Sequence, residues 1–308
     1  MRSSDAIQTI KSRISLSDMA RRYVDLRSVG SRLVAPCPFH QETKPSFSIN
    51  DEQGTFYCFG CQASGDLFDF YGRLNGLDFK ETLEALAEEA GVQLETYRPD
   101  PRARQERSHK RDMLKMHELA AARFRGNLSA PQAKACRDYI EERGITPELQ
   151  EKFALGWSME SWQDLGDTLR RGGFDLGAAV ECGLQSKSSS GRTFDRFRSR
   201  LMFPIRNLSG QAIAFGGRII PSLAGPDDAK YINSSDSPIY KKGEHLFGLF
   251  QARPSIAVKK NILLTEGYMD VITLHQFGYT QAVGVLGTAL TPEQIKRLSG
   301  FSSSLELM

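Results

Sequence analysis

Apolar residues recur at helical spacing at Ile7, Ile10 and Ile14, and again at Met19, Tyr23 and Val24. This predicts helix over residues 5–26, with Ser17 placed to cap its second part. From Leu33 to Cys61 the pattern turns to short alternating runs broken by Gly and Pro. Phe47-Ser48-Ile49 and Thr55-Phe56-Tyr57 read as two strands of a hairpin with Asn50–Gly54 as the turn. Leu67, Phe70, Tyr71, Leu74, Leu83, Leu86 and Ala87 carry a helical period from Asp66 to Ala90, and Gly91 stops it. Residues 113–180 read as mostly helical, and residues 193–250 as alternating strands with Gly turns. From Asn261 the order is strand, helix, strand, helix, strand. Thr291-Pro292-Glu293-Gln294 forms a capping box with Pro at the first helical position.

The pattern lapses in two places. Residues 98–112, opening Arg98-Pro99-Asp100-Pro101-Arg102, are charged and lack apolar periodicity, which predicts a linker. Ser186–Gly191 is a Ser/Lys/Gly loop. The expected organisation is a domain over 1–97, the linker over 98–112, a second domain over 113–255 and a parallel α/β piece over 256–308. The fold class is α+β multidomain.

Composition narrows this reading. The 308 residues are 40% hydrophobic and 25% charged, a globular balance. No apolar run approaches the ~20 residues that span a bilayer, and residues 1–5 lack a signal-peptide core. A cytoplasmic location with no membrane partner is expected. Net charge is only +3, so local charge carries more information. Basic residues dominate from Arg102 to Arg125, a run read as a solvated helix face and linker. They cluster again at Arg192, Arg196, Arg198 and Arg200, where they can neutralise phosphates.

Three of the five cysteines and one of the five histidines form Cys37-x2-His40-x17-Cys58-x2-Cys61. Each pair has the spacing of a tight turn that presents two ligands to one ion, and two such turns close a tetrahedral zinc site. With the hairpin between the pairs, this is a zinc ribbon holding one structural Zn2+. Cys136 and Cys182 have no partner motif and read as core thiols. Lys44, Phe47, Phe56, Tyr57 and Phe59 mix charge with aromatic side chains, as single-strand binders do, although each aromatic individually fits a small core.

Residues 35–70, APCPFHQETKPSFSINDEQGTFYCFGCQASGDLFDF, resemble the zinc-binding domain of bacterial replicative primases. Thr193–Ile205, Ala214-Phe215-Gly216-Gly217-Arg218, Lys230-Tyr231-Ile232-Asn233-Ser234 and Tyr240–Gly243 are similar, in order, to that family's basic catalytic subdomain. Asn261–Leu264 followed by Thr265-Glu266-Gly267-Tyr268-Met269-Asp270 resembles a Toprim fold. The resemblance runs from about Ile7 to Met308. It implies a zinc ribbon with flanking helices, then a mixed α/β primase core with a partial Toprim subdomain.

The implied function is DNA-directed RNA primer synthesis on single-stranded DNA from ribonucleoside triphosphates at the replication fork. The resemblance casts Glu266 and Asp270 as catalytic, with Glu266 holding Mg2+ or Mn2+. It places Arg196, Arg198, Arg218, Lys230, Tyr231, Asn233 and Lys242 along the nucleotide and template groove. In the family the strand at Leu305 leads into an Asp-Gly-Asp metal motif, and a later domain binds the replicative helicase. The expectation is therefore a fragment, inactive by itself. Two other readings stay open: a non-catalytic single-stranded DNA-binding fragment, and part of a phage-type primase-helicase.

Overall fold

The computed structural model describes residues 3–30, 32–39, 42, 45–75, 77, 79–94, 101–287, 289–302 and 304–308. For residues 3, 4, 101–104, 107 and 257 only the backbone is described. By its contacts the chain divides into Met1–Glu106 with Leu208–Gly210, and Arg107–Asn207 with Gln211–Met308.

The first unit opens with α1 (Ser3–Arg13) and α2 (Leu16–Ala20). The cap of α2 is Ser15, in extended backbone, whose hydroxyl accepts from the Asp18 N–H at 3.0 Å. Ser17, the expected cap, is buried inside the helix. A five-stranded antiparallel sheet follows: β1 (Arg27–Val29), β2 (Arg32–Ala35), β3 (Phe47–Asn50), β4 (Thr55–Cys58) and β5 (Ser64–Gly65), hydrogen-bonded in chain order. The predicted hairpin is its centre, with Asn50 opposite Thr55. Gly54 closes the turn at φ +62°, a conformation that favours glycine. The flanking strands carry too few alternating apolar positions to stand out.

The helix expected over 66–90 is two helices, α3 (Leu67–Asn75) and α4 (Phe79–Ala90). Asp66 starts the first by accepting from the N–H groups of Phe68 and Asp69, and Gly91 ends the second at φ +63°. Phe39, Phe47, Phe56 and Phe70 form the core of this unit, with ring centroids 5.3–6.1 Å apart.

In the rest of the chain, α5 (Pro101–Asn127) includes residues 101–112, so most of the expected linker is helical. The reason is that Arg, Gln, Glu and Lys are good helix formers; lack of apolar periodicity there marks a helix without a buried face, not a loop. Further on, Met113, Met116, Ala120 and Phe124 are buried. There follow α6 (Lys134–Glu142), α7 (Pro147–Lys152), β6 (Gly156–Ser158), α8 (Asp164–Arg171) and α9 (Leu176–Glu181). The Ser/Lys/Gly stretch is mostly turn, but its first residues belong to β7 (Gln185–Lys187), paired antiparallel with β8 (Thr193–Asp195).

The main sheet joins β9 (Arg200–Arg206), β10 (Ala212–Ile219) and β11 (Tyr231–Asn233) in the order β11-β10-β9-β6, all antiparallel. Every residue of β10 is buried, because both sheet faces are covered. Met202 and Phe215 pack with Phe124 and Met116 of α5 in one core. Leu201, Phe203 and Ala214 pack in another with Tyr139, Phe153 and Tyr268.

Gly216 and Gly217 in β10 make both coverings possible. A Cβ on Gly216 would lie 2.2 Å from Tyr268 Cζ. One on Gly217, facing the other side, would lie 3.0 Å from Phe197 Cδ1 and 3.1 Å from Arg200 Cδ.

After α10 (Leu249–Lys259), β12 (Ile262–Thr265) forms the centre of a parallel three-stranded sheet. It is flanked by β13 (Ala282–Gly284) and β14 (Leu305–Leu307), with α11 (Tyr268–Gln276) and α12 (Pro292–Ser299) between the strands in sequence. The capping box of α12 is formed, with the Thr291 hydroxyl accepting from Gln294 N–H and the Gln294 carbonyl oxygen accepting from Thr291 N–H, each at 3.1 Å. Cys136 and Cys182 are buried thiols that burial pushes up to about 12.

Two stability predictions follow from this packing. Gly216→Ala should cost about 1–3 kcal/mol, read as a lower urea midpoint, because the Tyr268 ring has to move. His117 is fully buried against the Phe215 ring, and burial lowers its pKa to about 4. Because the folded value lies below the unfolded one, the unfolded chain binds more protons between them. Stability is therefore retained near pH 7 and lost as pH falls from about 6.5 toward 4. At pH 5 the loss from this group should be about 2 kcal/mol. Urea melts of His117→Phe should show a correspondingly flatter change between pH 7 and pH 5.

Candidate functional site

In the first unit, Cys37, Cys58 and Cys61 are buried and place their sulfur atoms within 4.8 Å of one another. Ligands about 2.3 Å from one tetrahedral ion lie about 3.8 Å apart, and Cys37 Sγ and Cys61 Sγ are separated by 3.8 Å. Each turn also aims a backbone N–H at a sulfur: Phe39 at Cys37 and Cys61 at Cys58, both at 3.4 Å. Such N–H groups favour the thiolate form that a metal takes. Hydrogen bonding to the Cys58 and Cys61 thiols, together with burial, raises the Cys37 thiol far above its ordinary range. A cation relieves that crowding. The donor set fits zinc; His40, the expected fourth ligand, lies outside the described residues, as does Lys44. Of the aromatics noted in the sequence, Phe47 and Phe56 are core, while Tyr57 and Phe59 are exposed with ring centroids 4.9 Å apart.

A second site is a cavity of about 360 Å³ where β10 and β11 meet the carboxyl end of β12. Arg218, Lys230, Tyr231 and Asn233 line it together with Glu266 and Asp270, six of the nine residues expected for the catalytic groove. Glu266 follows the last residue of β12 and Asp270 sits in the first turn of α11, both exposed. This is the end of a parallel sheet at which ligands bind. Arg218 is only 7% exposed. Its guanidinium lies 5.2 Å from the ring centroids of both Tyr139 and Tyr231, and its Nε donates to the Tyr139 hydroxyl. Burial raises the Tyr231 phenol despite the neighbouring Arg218, and burial raises Tyr268 much further. Both therefore stay protonated at neutral pH.

Asn233 joins the two walls of the cavity. Its side-chain oxygen accepts from the Tyr268 hydroxyl at 2.6 Å, and its amide donates to the Leu286 carbonyl at 2.8 Å. Cations on the sheet side (Arg143, Arg218 and Lys230) thus face carboxylates at the strand end. That division suits a phosphate-bearing ligand with a carboxylate-held cation.

The other three expected groove residues do not line this cavity. Arg196 Nη2 donates to the Asn233 backbone carbonyl at 2.9 Å. The Arg198 guanidinium stacks 3.8 Å from the exposed Trp162 ring, with Phe194 beyond it at 5.4 Å. The N–H of Lys242 donates to the Asp236 carboxylate, and its carbonyl accepts from Gln294. Arg200, part of the basic cluster in sequence, is buried.

Three family matches divide the chain in the same order. Residues 2–101 match the CHC2 zinc finger, 123–253 the N-terminal domain of the DNA primase catalytic core, and 260–306 the Toprim domain. A crystal structure of the Aquifex aeolicus primase, holding its zinc-binding and RNA polymerase domains, superposes with a TM-score of 0.61. It is 30% identical and the match covers 98% of this chain and 72% of that one. This chain belongs to the bacterial DNA primase family.

The DNA primase of Halalkalibacterium halodurans is 39% identical over 296 residues, which is 96% of this chain and 48% of the relative. The chain spans about half the length of the curated primases it matches. A primase catalytic domain bound to single-stranded DNA is 33% identical with a TM-score of 0.59, covering 66% of this chain and 63% of that one. Among the described residues no helix is long and apolar enough to cross a membrane.

Tyr139 and Arg143 also line this cavity, and no pattern in the sequence marks them. They sit four apart at the end of α6, with the Arg143 guanidinium 5.1 Å from the Tyr139 ring centroid. In sequence they are an ordinary helical pair; only the fold carries them to Arg218.

Cys61→Ser should remove most of the bound zinc, from about one ion per chain, and open residues 27–65 to protease. Metal analysis and limited proteolysis check this, with chelator treatment of the unsubstituted chain giving the same cleavage.

Proposed function

We propose that this chain carries the zinc-binding domain (1–97), the basic core (113–255) and part of the Toprim subdomain (256–308) of a DNA primase. The primase joins ribonucleoside triphosphates into an RNA primer on single-stranded DNA. The observation that supports this most is the cavity in which Arg218, Lys230 and Tyr231 face Glu266 and Asp270. One structural Zn2+ is held by Cys37, His40, Cys58 and Cys61 and helps select the start site.

Arg218 and Lys230 hold phosphate groups through charge-assisted hydrogen bonds. Tyr231 gives one face for a base or sugar. Asn233 and Tyr268 keep the basic sheet in register with the acidic strand end. Glu266 and Asp270 offer carboxylate oxygens to Mg2+ or Mn2+, which when bound supports attack of the primer hydroxyl and departure of pyrophosphate. Arg198 with Trp162 offers a cation and an exposed ring to the template strand, and Arg196 and Lys242 add positive charge for phosphates. Magnesium takes about six oxygen ligands, so Glu266 and Asp270 by themselves make a weak site. Residues 1–308 alone should bind single-stranded DNA without making primers. The primase works in the cytoplasm at the replication fork, with the replicative helicase as a partner.

Primer synthesis is tested with the full-length chain, a single-stranded template, ribonucleoside triphosphates and Mg2+ or Mn2+; no RNA product refutes the assignment. In that protein Glu266→Gln should lower synthesis by about 100-fold or more, while template affinity measured by anisotropy changes little. Equal loss of both would mean that Glu266 serves folding instead.

A further inference from the structure

Arg200 is the one member of the arginine cluster that solvent barely reaches, at 5% exposure. It begins β9 opposite Ile219 of β10. Its stem passes over Gly217, with Cδ 3.1 Å from where a Cβ would stand. Because Gly216 faces Tyr268 and the cavity, Arg200 approaches β10 from the reverse side of the sheet. Its Nη1 donates to the Ala229 carbonyl at 2.8 Å and to the Gly217 carbonyl at 3.3 Å, and its Nη2 lies 3.8 Å from the Asp228 carboxylate. The other oxygen of Asp228 accepts from the Gly225 N–H at 2.9 Å, closing the turn that precedes β11.

These contacts bear on Lys230. The Ala229 carbonyl belongs to the same planar peptide unit as the Lys230 N–H, so Arg200 fixes that plane. The Lys230 carbonyl is fixed in turn by the Ile219 N–H at 3.1 Å. The stretch from Pro221 to Lys230 is exposed throughout. Held at both adjoining peptide units, Lys230 presents its side chain to the cavity beside Arg218 and Tyr231. A buried guanidinium that serves two backbone carbonyls is not available to phosphate.

We propose that Arg200 is a positioning residue for Lys230: from the reverse face of the sheet it sets the peptide that aims the Lys230 ammonium at a phosphate in the cavity. The inference rests on the reading of the cavity as a phosphate-binding groove. That phosphate belongs either to the template strand or to a nucleoside triphosphate, and the two are separated by measuring both.

The experiment uses the chain of residues 1–308 with two probes, a fluorescein-labelled single-stranded oligodeoxynucleotide and a fluorescent ATP analogue, titrated at several salt concentrations. Lys230→Ala should weaken one probe about tenfold and reduce its salt slope by about one. Arg200→Gln should weaken the same probe by a similar factor with the same reduced slope. The double variant should be no weaker than either single one, and Arg200→Lys, which keeps a donor for Ala229, should recover most of the affinity. Multiplying losses in the double variant, or Arg200→Gln with an unchanged salt slope, overturns the positioning role. Should Arg200→Gln fail to fold, Arg200→Lys is read by itself: affinity and salt slope close to those of the unsubstituted chain support the role, and a loss of about tenfold, as large as that of Lys230→Ala, overturns it. If Lys230→Ala moves neither probe, the groove reading itself falls.

Discussion

Strand β10 has no side chain at the two positions where its faces are most crowded, and the architecture of the second unit follows from that. At Gly216 the ring of Tyr268 lies directly on the backbone. This brings the first residue of α11 against the basic sheet and lets the Tyr268 hydroxyl reach Asn233. At Gly217 the stem of Arg200 and the ring of Phe197 approach less closely on the reverse face, 3.1 and 3.0 Å from where a Cβ would stand. A sheet covered on both sides normally separates its layers by about 10 Å. The paired glycines shorten that distance on one line across the sheet, so a tyrosine hydroxyl and a guanidinium reach backbone and amide groups that longer side chains would have kept apart. Adding even one methyl group at Gly216 pushes apart the cationic wall and the carboxylate-bearing turn, whose spacing defines the cavity.

The zinc-binding unit solves a different problem. Four phenylalanines stand at the centre of its core, under a sheet with strands of two to four residues, and α1 to α4 add Ile10, Met19, Leu67 and Leu86 around them. Three sulfur atoms gathered within 4.8 Å repel or crowd one another unless a cation joins them. The backbone N–H groups directed at Cys37 and Cys58 favour the thiolate state that a metal takes.

Local signals were legible in the sequence and long-range ones were not. The Cys37, Cys58 and Cys61 spacing, the hairpin from Phe47 to Cys58, the Thr291 capping box and Glu266 at a strand end each depend on residues a few positions apart. All of them stand in the structure where the spacing put them. Ser15 took the cap expected of Ser17 because both hydroxyls lie within reach of the same turn, and only backbone dihedrals decide between them. The charged stretch 98–112 reads as linker because periodicity reports a buried face, and the helix that holds 101–112 has none there to report. Tyr139 and Arg143 were invisible for another reason: their contact with Arg218 and the cavity crosses some 80 residues of chain. Residue-by-residue resemblance to the primases supplied Arg218, Lys230, Tyr231 and Asn233, which propensity alone would have left as surface polar groups.

The arginines between 192 and 200 show how far a count of charges can mislead. In sequence they are one basic cluster. In the structure Arg192 is exposed, Arg196 donates to the back of β11, Arg198 lies on Trp162, and Arg200 is enclosed. Arg198 alone pairs an accessible guanidinium with an exposed aromatic face, the combination that suits a single strand. Arg196 and Arg200 direct N–H groups at carbonyls of residues 217, 229 and 233, which brace the strand entry and exit on either side of Tyr231. Removing such a group costs more than its charge, because these backbone carbonyls lose their side-chain donor. The positive field of this sheet and the rigidity of its edge therefore come from the same residue type, and burial decides which of the two each arginine supplies.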